Sequence, residues 1–251
     1  MSNTIDREKR LHNRTSFLSN IARQLGRTQP LTQVERPALR HTCQNEVMAT
    51  FSQDQLKDEL VRYTETSLGA KAVVTTKADL EATLKQLCLD YCKDQQGNAA
   101  AGETIVSATA ALLEMVSPQS LETDEHKVHV WDAAAGFDAN IKIAERAKVG
   151  IVLAEEALAE SGTMVLYSQA NQGRAVSLLP EASIFVVAKS NLKPRLTQAT
   201  ALLHQKASQG ERIPSCVNFI SGPSSTADIE LIKVVGVHGP VFATYVVIDD
   251  M

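Results

Sequence analysis

Aromatic side chains are scarce in this chain: one Trp, four Tyr and six Phe, 4% of 251 residues. That scarcity removes the stacking platforms on which single-stranded nucleic acids are held. Basic charge is not in excess either. The 25 Lys and Arg stand against 29 Asp and Glu, a formal net charge of −4, so nothing drives binding to a phosphate backbone. No apolar run reaches the roughly 18 residues of a membrane-spanning helix. The first 25 residues are polar and charged, without the apolar centre of a secretory signal, and a cytoplasmic location is expected.

Cysteine is sparse as well. Cys43, Cys88, Cys92 and Cys216 are irregularly spaced, which reads as reduced thiols. Cys88 and Cys92 lie four apart on a predicted helix, but two thiolates neither complete a zinc site nor hold an iron–sulfur cluster. Beside Leu84, Leu87 and Tyr91 they read as core. His126 and His129 are too few for a metal site, so no bound metal or cofactor is expected. Gly-x-Ser-x-Gly, Gly-x-Gly-x-x-Gly and Walker-type loops are missing from the sequence, which leaves serine hydrolases and those classes of nucleotide binder without support.

What is present is a sizeable apolar fraction, 44%, arranged with two periods. Near the N-terminus, Leu11, Leu18, Ile21, Ala22 and Leu25 predict an amphipathic helix over Ile5 to Leu25, ended by Gly26. Residues 27–50 carry Pro30 and Pro37 without a clear period and read as an extended arm. The chain is thus read as a helix and arm over 1–50 and an α/β domain over 51–251. In the domain, Ser52 predicts the cap of a helix carrying Leu56, Leu60 and Tyr63. Helices are also predicted over residues 76–91, 108–116, 153–160 and 192–207, the last with Pro194 in its first turn and Leu192, Leu196, Ala199 and Leu203 inward. Strands are predicted over residues 72–75, 104–107, 128–131, 163–167, 183–188, 217–220 and 243–248. Several of these are almost unbroken apolar runs, which calls for burial on both faces. The expected architecture is a three-layer α/β/α domain with a mainly parallel or mixed sheet.

The chemistry concentrates in two C-terminal segments. After the apolar run Val217–Ile220 comes Ser221-Gly222-Pro223-Ser224-Ser225-Thr226-Ala227-Asp228-Ile229-Glu230, and then Gly236-Val237-His238-Gly239-Pro240. The hydroxyls of Ser221, Ser224 and Thr226, with the amides around Gly222, suit a small anion if a helix or turn opens near Thr226. Asp228 and Glu230 supply acid–base groups, and His238 is a proton carrier near neutral pH. The plainer readings stand beside these: Thr226 and Asp228 as caps of a turn, and the His238 ring as a brace for its loop. Arg174, after the turn Asn171-Gln172-Gly173, is either a clamp for a carboxylate or a structural ion-pair partner. Glu155 and Glu156 read as favourable charges at a helix N-terminus.

These segments resemble the LUD-domain (lactate-utilization protein C) family. Support comes from Ala159-Glu160-Ser161-Gly162-Thr163-Met164-Val165-Leu166, from Arg174 to Pro180, and from the helix around Phe17 to Arg27. The resemblance implies a sheet of the NagB/RpiA/CoA-transferase-like type. It implies a part in oxidation of L-lactate to pyruvate, as a cluster-free subunit in assembly or substrate positioning beside iron–sulfur partner proteins. It also brings Glu160 and Arg174 toward the Ser221–Glu230 cleft. Ser225 departs from the family, which more often carries Arg or Lys there, and the missing cation weakens an anion site. CoA transferases of the related fold use a glutamate nucleophile, but their glycine-rich signatures are missing beside Glu155 and Glu156. The alternative function is a stand-alone enzyme of this fold acting on a small anionic metabolite.

Overall fold

The computed structural model describes residues 12–35, 37–93, 96–98, 100–228 and 231–251. Contacts divide the chain into two compact units, residues 1–42 and 43–251. In the first, helix α1 spans Arg14–Gln24 and ends where Gly26 takes a positive φ. Ala22 is buried, while Phe17, Ile21 and Leu25 are exposed. The part of the predicted helix before residue 12 lies outside the described residues.

The second unit opens with α2 (Gln53–Tyr63). Ser52 and Gln55 form a reciprocal capping box there, each satisfying the other's backbone N–H. There follow β1 (Lys71–Thr75), α3 (Leu80–Tyr91), β2 (Gly102–Val106), α4 (Ala110–Leu113), β3 (His126–Val130), α5 (Phe137–Arg146), β4 (Val149–Leu153), β5 (Glu156–Leu158) and β6 (Thr163–Tyr167). The chain continues through α6 (Ala175–Leu178), β7 (Ala182–Ala188), β8 (Leu192–Lys193), α7 (Leu196–Ser208), β9 (Val217–Ser221), β10 (Ser225–Thr226), β11 (Val234–Val235) and β12 (Phe242–Ile248).

The central sheet is parallel throughout, in the order β1-β12-β7-β4-β2-β3. Its middle strands are apolar because both faces are covered: every residue of β7 is buried. Successive side chains point to opposite faces. Ile105, Val152, Phe185, Val187, Tyr245 and Val247 join one core cluster with Leu56 and Leu60 of α2 and Met164 and Leu166 of β6. Val106, Ile151, Ile184, Val186, Val246 and Ile248 join the other, with Leu80, Leu84, Leu87 and Cys88 of α3. The expected three layers follow from that alternation. Phe185 and Tyr245 meet edge to face, ring centres 5.6 Å apart, a favoured aromatic geometry.

A second sheet, β8-β5-β6-β9, packs over the first cluster, and β10 and β11 form a short antiparallel ribbon. This second sheet corrects the local reading. Residues 153–160, expected as a helix, instead finish β4, form β5 and make a single turn at Ala159–Ser161. Pairing decides it: Glu156, Ala157 and Leu158 lie opposite Val165, Met164 and Thr163, and Ala157 and Leu158 lie beside Leu192 and Lys193. Tertiary pairing overrides the helix preference of Ala, Leu and Glu. For the same reason Leu192 belongs to a strand, Pro194 precedes α7, and Leu196 is exposed. The helix expected over 108–116 shortens to Ala110–Leu113.

Candidate functional site

The two motif segments meet. Ser221, Gly222, Ser224, Ser225, His238 and Gly239 line one cavity of about 320 Å³, together with Phe185 and Ala243. The cavity sits at the amino ends of β7 and β12, since Ser183 and Ala243 at their starts also line it. Open parallel sheets usually bind ligands at the opposite, carboxyl ends. No helix opens at Thr226. The chain pairs Ser225 with Val235 and Thr226 with Val234, because Val234 and Val235 offer an extended partner.

The loop's amides are largely engaged by the protein itself. The Gly222 N–H donates to the Tyr245 hydroxyl over 2.7 Å, and the Ser224 N–H to the Pro240 carbonyl over 2.9 Å. The Ser221 hydroxyl lies 2.7 Å from that of Thr163. What the cavity presents to a ligand is therefore side chains: serine hydroxyls and an exposed imidazole.

The remaining predicted residues scatter. Thr226 accepts from the Asp228 N–H at 3.2 Å, and Asp228 is exposed and does not line the cavity. Glu230 lies outside the described residues. Arg174 is exposed and lines a neighbouring, more apolar cavity of about 450 Å³ with Trp131 and Phe137. Glu160 accepts from Arg195 Nε in an ion pair and lines neither cavity.

A larger cavity, about 620 Å³, opens at the carboxyl ends of β4, β7 and β12. Leu153, Ala188 and Ile248, the last residues of those strands, line it together with Glu155, Glu156, Tyr167, Lys193 and Lys206. Glu155 and Glu156 lie on the crossover between the two sheets, so their setting is not a helix N-terminus. Burial pushes the Glu155 carboxyl up to about 7, although it accepts the Tyr167 N–H at 2.8 Å. Burial also raises Glu156, against the opposing charges of Lys193 and Lys206. The sequence carries a signal for this in two adjacent glutamates inside an apolar run, which the helical reading of residues 153–160 places at a helix N-terminus instead.

Elsewhere, the His126 ring spans 3.4 Å to Cys92 Sγ and 2.9 Å to Thr104 Oγ1 in the interior, and burial lowers its pKa. The described residues hold no group of three or more His, Cys, Asp or Glu placed to share a metal ion. No helix among them is long and apolar enough to cross a membrane.

Helices on both sides of a parallel sheet, a subsidiary sheet, and a serine–histidine cleft define a three-layer α/β protein. Among solved structures it resembles a DUF162 family protein from Deinococcus radiodurans, with a TM-score of 0.53 over 79% of this chain and 99% of that one, at 17% identity. A likeness at that identity concerns the fold. The LUD domain model matches residues 58–248, and the chain belongs to that family. YkgG, an uncharacterized protein of Escherichia coli strain K12, is 43% identical over 96% of this chain and 100% of its own. A protein of Geobacillus sp. strain WCH70 named lactate utilization protein C is 42% identical, over 96% and 97% respectively.

Proposed function

We propose that this protein serves L-lactate utilization in the cytoplasm. In this reading it is a subunit without clusters of its own, acting in assembly or substrate positioning while iron–sulfur partner proteins oxidise L-lactate to pyruvate. The observation that carries the reading is the end-to-end likeness to proteins named lactate utilization protein C, 42% identical over 97% of the Geobacillus chain. The cleft is compatible in scale and chemistry: serine hydroxyls and an imidazole can meet the carboxylate and hydroxyl of a small hydroxy acid.

The test is genetic and biochemical. Deleting the gene in its host should abolish growth on L-lactate but not on glucose. Complementation should restore growth, and an affinity-tagged copy should bring down iron–sulfur proteins. Ser224→Ala and His238→Ala together should impair complementation without lowering the level of folded protein. Undiminished growth of the deletion strain on L-lactate overturns the reading.

The second reading, a stand-alone enzyme acting on a small anionic metabolite, is favoured by one observation: the carboxylate-lined cavity at the carboxyl ends of the central strands. Turnover of such a metabolite by the purified chain alone would decide for it.

A further inference from the structure

A carboxyl group taken out of water and given no hydrogen-bond partner is expensive, and an uncompensated one marks a place where a ligand can complete the set. Glu156 is in that position. Its residue is 3% exposed, and neither carboxyl oxygen has a hydrogen-bond partner among the described residues. The hydroxyl of Tyr167, on the neighbouring strand β6, is likewise buried and unpartnered. Both residues line the 620 Å³ cavity at the carboxyl ends of β4, β7 and β12.

The cavity also holds cations. Lys77, Lys193 and Lys206 line it, and Lys206 Nζ sits 5.4 Å from the centre of the Tyr167 ring. Among the described residues, neither Lys193 nor Lys206 has a carboxylate within ion-pair distance. The cavity therefore offers hydrogen-bond acceptors at depth and positive charge on its walls. Three lysines face three carboxyl groups, those of Glu114, Glu155 and Glu156, and burial draws the last two toward neutrality, which leaves positive charge in surplus. That surplus favours an anion carrying a neutral donor over a zwitterion.

We propose that this cavity is a second binding site, for a small organic anion bearing a hydroxyl group. The hydroxyl donates to the Glu156 carboxylate, within reach of the Tyr167 hydroxyl, and the anionic end meets Lys193 and Lys206. Leu153, Ala188 and Ile248 supply an apolar wall for the carbon skeleton. The site is separate from the serine–histidine cleft and does not depend on lactate being the natural ligand.

The experiment is binding by the intact chain, followed by thermal shift and calorimetry. Glycerol 3-phosphate, D-glycerate and L-lactate are the hydroxylated anions. Propionate tests the anion without the hydroxyl, and glycerol the hydroxyl without the anion. At least one hydroxylated anion should bind and raise the melting temperature, while propionate and glycerol do not. Glu156→Ala and Lys206→Met should each weaken that binding about tenfold or more. Lys193→Ala, a partly exposed position, provides the same test in a variant whose core is untouched. The Glu156 and lysine substitutions should weaken the binding to the same extent in a His238→Ala background, which removes the contribution of the serine–histidine cleft. Absence of binding by all three hydroxylated anions overturns the proposal. So does equal binding of propionate, or loss of binding in His238→Ala with retention in both lysine variants. None of those outcomes bears on growth with L-lactate or on partner capture, which test the lactate reading.

Discussion

The hydroxyl of Tyr245 accepts the backbone N–H of Gly222 over 2.7 Å and donates to the Gly162 carbonyl over 2.8 Å. One phenol in the central strand β12 thereby ties down two loops, the turn before β6 and the Ser221–Ser224 loop of the motif cleft. It is fully buried, and burial pushes its pKa up to about 12, so it keeps its proton throughout the physiological range.

Tyr245→Phe removes that hydroxyl and leaves a buried amide and carbonyl without a partner. The expected loss of stability is about 1–3 kcal/mol, read from urea denaturation. A loss smaller than about 0.5 kcal/mol would show that the two loops find other partners.

Gly150 tolerates no side chain. A Cβ there would lie 1.8 Å from the Val176 carbonyl oxygen, a backbone atom of α6. Gly150→Ala must push α6 off the sheet. We expect destabilisation of about 3 kcal/mol or more, seen as loss of soluble protein or a large fall in melting temperature.

Glu155 makes stability depend on pH with a definite sign. Its pKa in the folded protein, about 7, lies above the ordinary value near ~4.3. Between those values the native state holds a proton that the unfolded chain has released. This group's contribution therefore falls as pH rises through that window, and is flat below and above it. Glu155→Gln removes the dependence. Between about pH 4.5 and 8 the wild type should lose on the order of 2–4 kcal/mol more than the variant, measured by denaturant titration at each pH. Parallel curves would contradict this assignment.

The ion pair of Glu160 with Arg195 is partly exposed. Such pairs contribute little, so Glu160→Ala should cost no more than about 1 kcal/mol. It should also leave complementation on L-lactate intact. A selective loss of complementation with normal stability would return Glu160 to the functional site.

The thiols should separate by accessibility. Cys43 is exposed, whereas Cys88 and Cys92 are buried, and burial pushes Cys88 up to about 12 and raises Cys92. In native protein an aromatic disulfide reagent should titrate Cys43 first. Cys88 and Cys92 should react only after unfolding, which peptide mapping of the labelled cysteines will show.

The layered fold was legible because its signals are local and redundant. Ser52 as a cap, the Leu80–Leu84–Leu87 stripe, and the apolar runs over residues 183–188 and 243–248 each declare their element from a few neighbouring residues. The meeting of Ser221, Gly222 and Ser224 with His238 was legible too, since short glycine-rich loops separated by a few residues return close to one another. Residues 153–160 were not legible. Their composition favours a helix, and only Thr163–Val165 on one side and Leu192–Lys193 on the other make them a strand.

Sequence alone therefore determined the class of the fold, the buried strands and the family kinship, because hydrophobic period and motif spacing act over short distances along the chain. Tertiary structure decided which end of the sheet each polar cluster occupies. It set Glu160 against Arg195, left Asp228 exposed, and placed Glu155 and Glu156 at the carboxyl ends of the central strands. Those outcomes depend on pairing between segments far apart in the chain, and no local pattern encodes the partner.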